Sequence, residues 1–439
     1  MKKTISNTQI LKKLISFALP LILSGMLQQL FNWVDALIVG NIIGEKALAG
    51  IGATTSLYNL FITVIVGFTS GLTVLFARQY GEGNHSDNAG LLARFSVTMT
   101  AVFTVIAAFG MIFLETVLKL MDTPAPLLDH AESYLVIVLA AIPFLALYNT
   151  YSALLRGMGN STVPFIAVLI SSLTNALLDY VFIVFMGMGV EGAAAATLLS
   201  AAAMTAFIII YTVIKHPEMR FSPFSYSRCR KLSAAGTRYG MPPAVQGSVN
   251  SVGNLFLQRF MNSFGEQTVA AITTAYRVDC VLLLPVINFS TAISTLTAQE
   301  TGAGNRETAE RIFRTGTVMM ALLSSVLALI ILLAGKTLLA MFGLTEESIA
   351  IGESFFRRIA VFYIIYGLGM GIKGYLEGKS DLLFSAVAGI SALGVRIICS
   401  YLFAGIWENM VIAYAEGISW LYLLAVFAIR YKWKTERLF

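Results

Sequence analysis

Residues 14–40 read LISFALPLILSGMLQQLFNWVDALIVG, and this stretch is apolar over most of its length. A membrane-spanning helix needs about 20 mostly apolar residues. Lysines precede the stretch, as in a signal peptide. However, it is too long for the apolar segment of one, and no small-residue cleavage site follows. We therefore expect residues 14–40 to form the first membrane-spanning helix.

Runs of the same kind continue along the whole chain. Their length predicts helices rather than barrel strands, which would be about 10 residues long and would alternate in polarity. The sequence thus predicts an all-α integral membrane protein with twelve transmembrane helices. We place them at 14–40, 47–80, 89–120, 125–156, 160–186, 190–215, 232–262, 267–300, 306–341, 346–377, 380–406 and 409–431.

An internal repeat joins the two halves of the chain at a constant offset of 221 residues. The offset aligns Gly81-Glu82-Gly83-Asn84 with Gly302-Ala303-Gly304-Asn305, and Gly157 with Gly378. Six helices in each half give both halves the same orientation, and parallel repeats of this kind are typical of secondary transporters. We expect two pseudo-symmetric six-helix bundles, an N-lobe at 1–214 and a C-lobe at 232–439, joined by a cytoplasmic linker at 215–231.

The composition excludes a water-soluble protein of this size. Hydrophobic residues make up 57% of the chain and charged residues 12%, about half the share in soluble proteins. The net charge of +6 is spread between apolar runs, which argues against nucleic-acid binding. Most basic residues fall on the side of the N-terminus, so the positive-inside rule predicts a multi-pass protein of the bacterial inner membrane with both termini cytoplasmic. Three irregularly spaced cysteines give no disulfide framework or metal motif.

Nucleotide-binding motifs occur only as chance matches. Gly378-Lys379-Ser380 lacks the glycine that a phosphate-binding loop requires five residues earlier, and no strand precedes it. Gly187, Gly189 and Gly192 match the spacing of a dinucleotide-binding motif, but they lie in a predicted turn between helices and not after a strand. With no catalytic cluster either, we predict a protein that is not an enzyme and has no cofactor. Transport would then be driven by an ion gradient.

Polar and acidic residues lie inside two of the first six predicted helices. Gln28, Asn32 and Asp35 share one face of the first helix, and Asn175 and Asp179 share one face of the fifth. Charges at bilayer depth are costly and mark functional sites by default. Because neighbouring amides could also cap the two acids in a purely structural role, that alternative stays open.

The sixth helix adds the hydroxyl of Thr197, which in a helix often bonds only its own backbone. Two carboxylates, an amide and a hydroxyl form an all-oxygen set. Such a set suits a hard cation, or a carboxylate pair that holds a proton. We predict a site for Na⁺ or H⁺ formed by Asp35, Asn175, Asp179 and Thr197.

The second half does not repeat this chemistry. The 221-residue offset places Arg396 at the position of Asn175, so a cation site is expected in the N-lobe only. Arg277, Asp279, Arg396 and Glu416 are predicted to be buried and to form structural ion pairs. Pro20 is predicted to kink the first helix and to act as a hinge that couples Asp35 to helix bending.

The sequence resembles the multidrug and toxic compound extrusion (MATE) family of cation-coupled antiporters over essentially its whole length. The resemblance rests on Pro20 with Val34-Asp35-Ala36-Leu37-Ile38-Val39-Gly40, on Ala77-Arg78-Gln79-Tyr80-Gly81-Glu82-Gly83-Asn84, and on Arg156-Gly157-Met158-Gly159-Asn160. The branch that it is most similar to binds Na⁺ or H⁺ in the N-lobe. The ligands there are two aspartates, an asparagine and a threonine, which correspond to the four residues chosen above.

The resemblance implies a V-shaped monomer with alternating access that expels small amphipathic, often cationic, organic compounds. Gln28, Asn32 and Asn149 are expected along the substrate path. Acidic residues that other branches carry in the seventh and tenth helices have no counterpart here. Two alternatives remain: a lipid-linked precursor flippase of the same superfamily, and an integral-membrane enzyme.

Overall fold

The computed structural model describes residues 6–120, 124–221 and 230–436, and all regular structure within these ranges is helical. The α-helices are α1 (Asn7–Ile38), α2 (Glu45–Gly81), α3 (His85–Ile112), α4 (Leu114–Leu120), α5 (Ala125–Leu139), α6 (Ile142–Gly157), α7 (Thr162–Asp179), α8 (Gly189–Lys215), α9 (Arg230–Asn262), α10 (Glu266–Leu282), α11 (Leu284–Gly302), α12 (Arg306–Ala340), α13 (Glu346–Gly378), α14 (Leu382–Leu402), α15 (Ala404–Trp407) and α16 (Val411–Glu436). Much of the predicted linker, at 222–229, lies outside the described residues.

The described helices confirm an all-α membrane protein. Ten helical stretches are long and apolar enough to cross a membrane, and the bent pair α5–α6 makes an eleventh. Helix α9 has 33 residues, about 50 Å of length, but many of its side chains are polar. It therefore has the length of the twelfth predicted span without the hydropathy of the others.

Two predicted spans are broken rather than continuous. The run predicted at 125–156 bends by 41° between α5 and α6, where Pro143 stands in the first turn of α6. Pro285 has the same place in the first turn of α11. The run predicted at 89–120 ends earlier, because α3 stops at Ile112 and the short helix α4 follows.

The repeat seen in the sequence recurs in the backbone of the turns. Gly83 and Gly304, 221 residues apart, both have positive φ angles, 77° and 73°. In each turn the next residue, Asn84 or Asn305, donates its backbone N–H to the carbonyl five residues earlier, at 3.0 and 2.8 Å. Only glycine adopts such a φ without strain, which explains why glycine occurs at both positions.

By its internal contacts the chain divides between Ile22 and Leu23 and between Ala244 and Val245. We call the part from Leu23 to Ala244 the N-unit and the rest the C-unit. This division differs from the predicted lobes at 1–214 and 232–439, which follow the repeat along the chain. Helices α1 and α9 each contribute to both units. The boundary between the units lies just after Pro20 in α1 and just after the prolines at 242 and 243 in α9.

Each unit has its own apolar core. In the N-unit, buried side chains of α2, α3, α5, α6, α7 and α8 pack together, with Leu72, Phe76 and Leu92 at 1% exposure or less. In the C-unit, the first half of α1 packs through Ile10 and Leu14 into a core built mainly by α9 to α13 and α16. Packing of the first half of α1 into this core explains why the chain divides at Ile22.

Candidate functional site

The two acids predicted to act together stand at corresponding places in their helices. Asp35 lies in the last turn of α1 and Asp179 is the last residue of α7. Each helix continues as a π-helical turn, Val39–Ile43 after α1 and Tyr180–Phe185 after α7, and these two turns contact each other. Single π-helical turns occur frequently at functional sites. Their contact brings the ends of α1 and α7 to one place in the N-unit.

Asp35 and Asp179 lie close enough to interact electrostatically, and a proton on one carboxyl group would allow a hydrogen bond between the two. Ionised carboxylates only accept hydrogen bonds, so such a bond requires a proton on one of them. Neither oxygen of Asp179, nor Oδ1 of Asp35, receives a hydrogen bond from any of the described residues. Neighbouring amides therefore do not cap these carboxylate oxygens, as the structural alternative requires.

Tyr134 in α5 completes this site from a third helix. Its side chain is buried, and its hydroxyl lies near that of Thr197 and within electrostatic range of Asp35 and Asp179. Thr197 in turn donates to the carbonyl of Ala193, at 3.1 Å. Tyr134 was not predicted from the sequence, where its only signal is a phenol in the middle of the apolar run of α5.

The other predicted residues are placed less centrally. Asn175 is half-buried, one turn before Asp179 in α7, and its amide forms no hydrogen bond to the described residues. Asn149 donates to the carbonyl of its own helix at Leu145, at 2.8 Å. Gln28 and Asn32 are exposed side chains of α1. The structure thus brings together Asp35, Asp179 and Thr197, whereas the substrate-path residues stay predictions.

Apolar side chains surround the site. Val39 and Ile183 of the π-helical turns are buried with Val138 and Val190, in the cluster that also contains Tyr134. Two carboxylates side by side repel each other strongly in such surroundings, and no basic side chain among the described residues pairs with either. One positive charge, as a proton shared by the carboxyls or a small cation bound by oxygens, would neutralise one of the two negative charges and relieve the repulsion between them. The carboxylate, phenol and hydroxyl oxygens fit either.

The described residues contain no group of three or more His, Cys, Asp and Glu side chains that could hold a metal ion. A site of the transition-metal type, with imidazole or thiolate ligands, is thus not found among them. The donor set around Asp35 and Asp179 is made of oxygen alone, which is the chemistry of hard cations and protons.

The family model named MatE matches the chain twice, over residues 20–181 and 242–402. The chain belongs to the MatE family. The two matches end 221 residues apart, the offset of the repeat in the sequence. The chain is 29% identical to the probable multidrug resistance protein YpnP of Bacillus subtilis, over 98% of this chain and 97% of that protein. It is 27% identical to the probable multidrug resistance protein NorM of Thermotoga maritima, over 85% and 81%.

Solved structures of MATE proteins have the same fold. One in the bent conformation matches with a TM-score of 0.91 at 21% identity, over 99% of each chain. Family membership makes this protein a multi-pass membrane transporter and not an enzyme, as predicted.

The second half of this MatE protein carries a different set of charges, as the sequence predicted. Arg396 in α14 donates from Nη2 to Oε2 of Glu416 in α16, at 3.0 Å. The buried Asp279 accepts a hydrogen bond from the hydroxyl of Tyr363. Arg277 is a correction: it was predicted to be a buried member of this group, but its side chain is exposed. It lies two residues before Asp279 in α10 and so projects from a different side of that helix.

Proposed function

We propose that this protein is a secondary active multidrug efflux antiporter. It would export small amphipathic, often cationic, organic compounds in exchange for Na⁺ or H⁺. The observation that carries the proposal is the pair Asp35 and Asp179, whose carboxyl groups lie close together in apolar surroundings and accept no hydrogen bond from other described residues. The names of its full-length relatives, probable multidrug resistance proteins, support the same class of substrate.

The mechanism follows from the charge of this pair. With the site empty, two negative charges repel each other at the ends of α1 and α7. Binding of one cation or proton removes this repulsion and favours a closer approach of the two helix ends. Ion binding can thus change the relative stability of two arrangements of the N-unit, which is what coupling requires.

For a neutral substrate, the membrane potential alone supplies enough energy for export against a gradient, whereas a monovalent cation exchanged one for one is driven by the concentration gradient of the coupling ion. One positive charge that moves inward across the membrane contributes about 2.3 kcal/mol per 100 mV. A factor of ten in substrate concentration requires about 1.4 kcal/mol. A single coupling ion can therefore sustain more than a tenfold gradient of a neutral substrate.

Transport in proteoliposomes tests the proposal. We expect efflux of a fluorescent cationic dye to follow an imposed Na⁺ or H⁺ gradient and to be lost in Asp35→Asn and in Asp179→Asn. Asp129→Asn is the matched control, because Asp129 is an exposed aspartate of α5 in the same unit. Efflux that ignores both gradients, or persists in both site variants, would contradict the mechanism. Transport of a lipid-linked precursor with no dye efflux would favour the flippase alternative.

A further inference from the structure

The C-unit contains a cavity of about 330 Å³ that the coupling site does not explain. Four helices of this unit line it: α9, α10, α14 and α16. Its volume lies at the lower end of the range of small-molecule binding sites, about 300–1,000 Å³. The lining combines apolar side chains with polar ones, among them Asn254, Gln258, Tyr276, Arg396, Ser400 and Glu416.

The ion pair of Arg396 and Glu416 forms part of the cavity wall. Nη2 of Arg396 donates to Glu416 at 3.0 Å and to the hydroxyl of Tyr276 at 2.7 Å. A guanidinium has five N–H groups, and those on Nε and Nη1 donate to none of the described residues. The side chains of Arg396 and Glu416 are 18% and 11% exposed. The pair therefore offers unused donors and an unused carboxylate oxygen to a ligand.

Two amides on α9 add neutral hydrogen-bonding groups at an exposed part of the same wall. Asn254 and Gln258 are one helical turn apart and both are exposed. Gln258 donates to Oδ1 of Asn262 at 3.0 Å, which leaves its carbonyl oxygen unused among the described residues. The side chain of Asn254 forms no hydrogen bond with them. Carbonyl oxygens here suit an ammonium group.

A purely structural ion pair normally has its donors satisfied by the surrounding protein, because unpaired polar groups are costly when buried. This pair instead faces an open space with donors to spare. A ligand with one charge would compensate one member and compete with the other. A zwitterion presents a carboxylate to Arg396 and an ammonium to Glu416, so both charges of the pair gain partners.

We infer that this cavity is a ligand site for a small amphipathic zwitterion, with its carboxylate on Arg396 and its ammonium on Glu416 and the amides of α9. Phe260 and Ile412 of the same wall would contact the apolar part of the ligand. The site is separate from the pair Asp35 and Asp179 and needs no ion coupling, so it goes beyond the proposed function.

Equilibrium binding to the purified full chain, measured by isothermal titration calorimetry, tests the inference with three probes of one shape. Phenylalanine carries both charges, phenethylamine lacks the carboxylate and 3-phenylpropionate lacks the ammonium. We expect saturable binding of phenylalanine, and binding about tenfold or more weaker for each of the other two. Equal binding of the three, tighter binding of phenethylamine, or no saturable heat with phenylalanine up to about 10 mM would overturn it.

Variants locate the binding. Arg396→Gln removes the cation, and Asn254→Trp fills the cavity from an exposed position without changing the ion pair, so it remains informative if Arg396→Gln fails to fold. Both are expected to weaken phenylalanine binding about tenfold or more. Arg357→Gln is the control, because Arg357 pairs on the surface with Glu353 at 2.7 Å. Unchanged binding in Asn254→Trp, or an equal loss in Arg357→Gln, would show that the ligand lies elsewhere.

Discussion

Gly157 packs directly on Phe76: a methyl group added to the glycine would lie 2.6 Å from the Cβ of Phe76. The equivalent pair in the second half, Gly378 and Thr297, has the same separation of 2.6 Å between an added Cβ and the Cβ of the partner. All four residues obey the offset of 221. The repeat therefore preserves a helix crossing, α2 with α6 and α11 with α13, that only glycine permits at this distance.

Gly157→Ala is expected to destabilise the protein by about 1–3 kcal/mol, because the added methyl group also meets the backbone of residue 77 at 2.9 Å and the helices must move apart. Thermal unfolding in detergent measures this as a lower melting temperature. Gly52→Ala is the matched control, since nothing lies within 4 Å of an added methyl group at Gly52 in α2. Equal melting temperatures for the two variants would contradict the close crossing.

The sequence indicates the fold and part of the site for specific reasons. Acids inside apolar runs are rare enough to recognise one at a time, which is why Asp35 and Asp179 could be chosen without a structure. The repeat was visible because the glycines at 83 and 304 are required by backbone geometry. For these acids and glycines, the residue type itself indicates the structural requirement at its position.

Other features depend on packing between distant segments and leave only a weak local signal or none. Tyr134 is one phenol among many aromatic side chains, and only the fold shows that it reaches Thr197. The π-helical turns after Ile38 and Asp179 are also not encoded by any distinctive residue. Likewise, the repeat places α1 wholly in the first half, whereas contacts assign residues up to Ile22 to the C-unit.

Tyr134→Phe is expected to slow ion-driven dye efflux about two- to tenfold while leaving the melting temperature nearly unchanged. The variant removes the hydroxyl that lies beside Thr197 and the two acids, and one hydrogen bond from such a group contributes about 0.5–1.5 kcal/mol. Tyr151→Phe, at another buried tyrosine of the N-unit, is the control. If both variants transport at the same rate as the unaltered protein, Tyr134 is not part of the site.

Pro20→Ala is expected to slow transport several-fold without loss of folding. A proline in a helix cannot donate to the carbonyl four residues earlier, here Ser16, so α1 bends more easily at this point. The contacts of α1 change from the C-unit to the N-unit two residues later, after Ile22. Efflux rates in proteoliposomes measure the effect, with Leu19→Ala, an exposed neighbour, as control. Normal transport by Pro20→Ala would show that bending of α1 at Pro20 is not required for transport.

Asp381, in the turn between α13 and α14, accepts hydrogen bonds from Arg430 at 2.8 and 3.2 Å and lies 3.0 Å from Nζ of Lys434. Burial by itself raises the pKa of Asp381, but the bonds from Arg430 and Lys434 outweigh it, so the pKa lies below its ordinary value of 3.8. The ionised form is thus stabilised by folding. Asp381→Asn should cost about 1–3 kcal/mol near neutral pH.

The sign of the pH dependence follows from the lowered pKa. The stabilisation by Asp381 is fully present above the pKa of the unfolded chain and is lost as the pH falls through the folded pKa. We therefore expect the melting temperatures of Asp381→Asn and the unaltered protein to differ at pH 7 and to converge below about pH 4. Glu115→Gln, at a fully exposed pair with Lys119, is the control and should have no measurable effect at either pH. A difference that persists unchanged in acid would show that Asp381 stabilises the turn by packing and not by its charge.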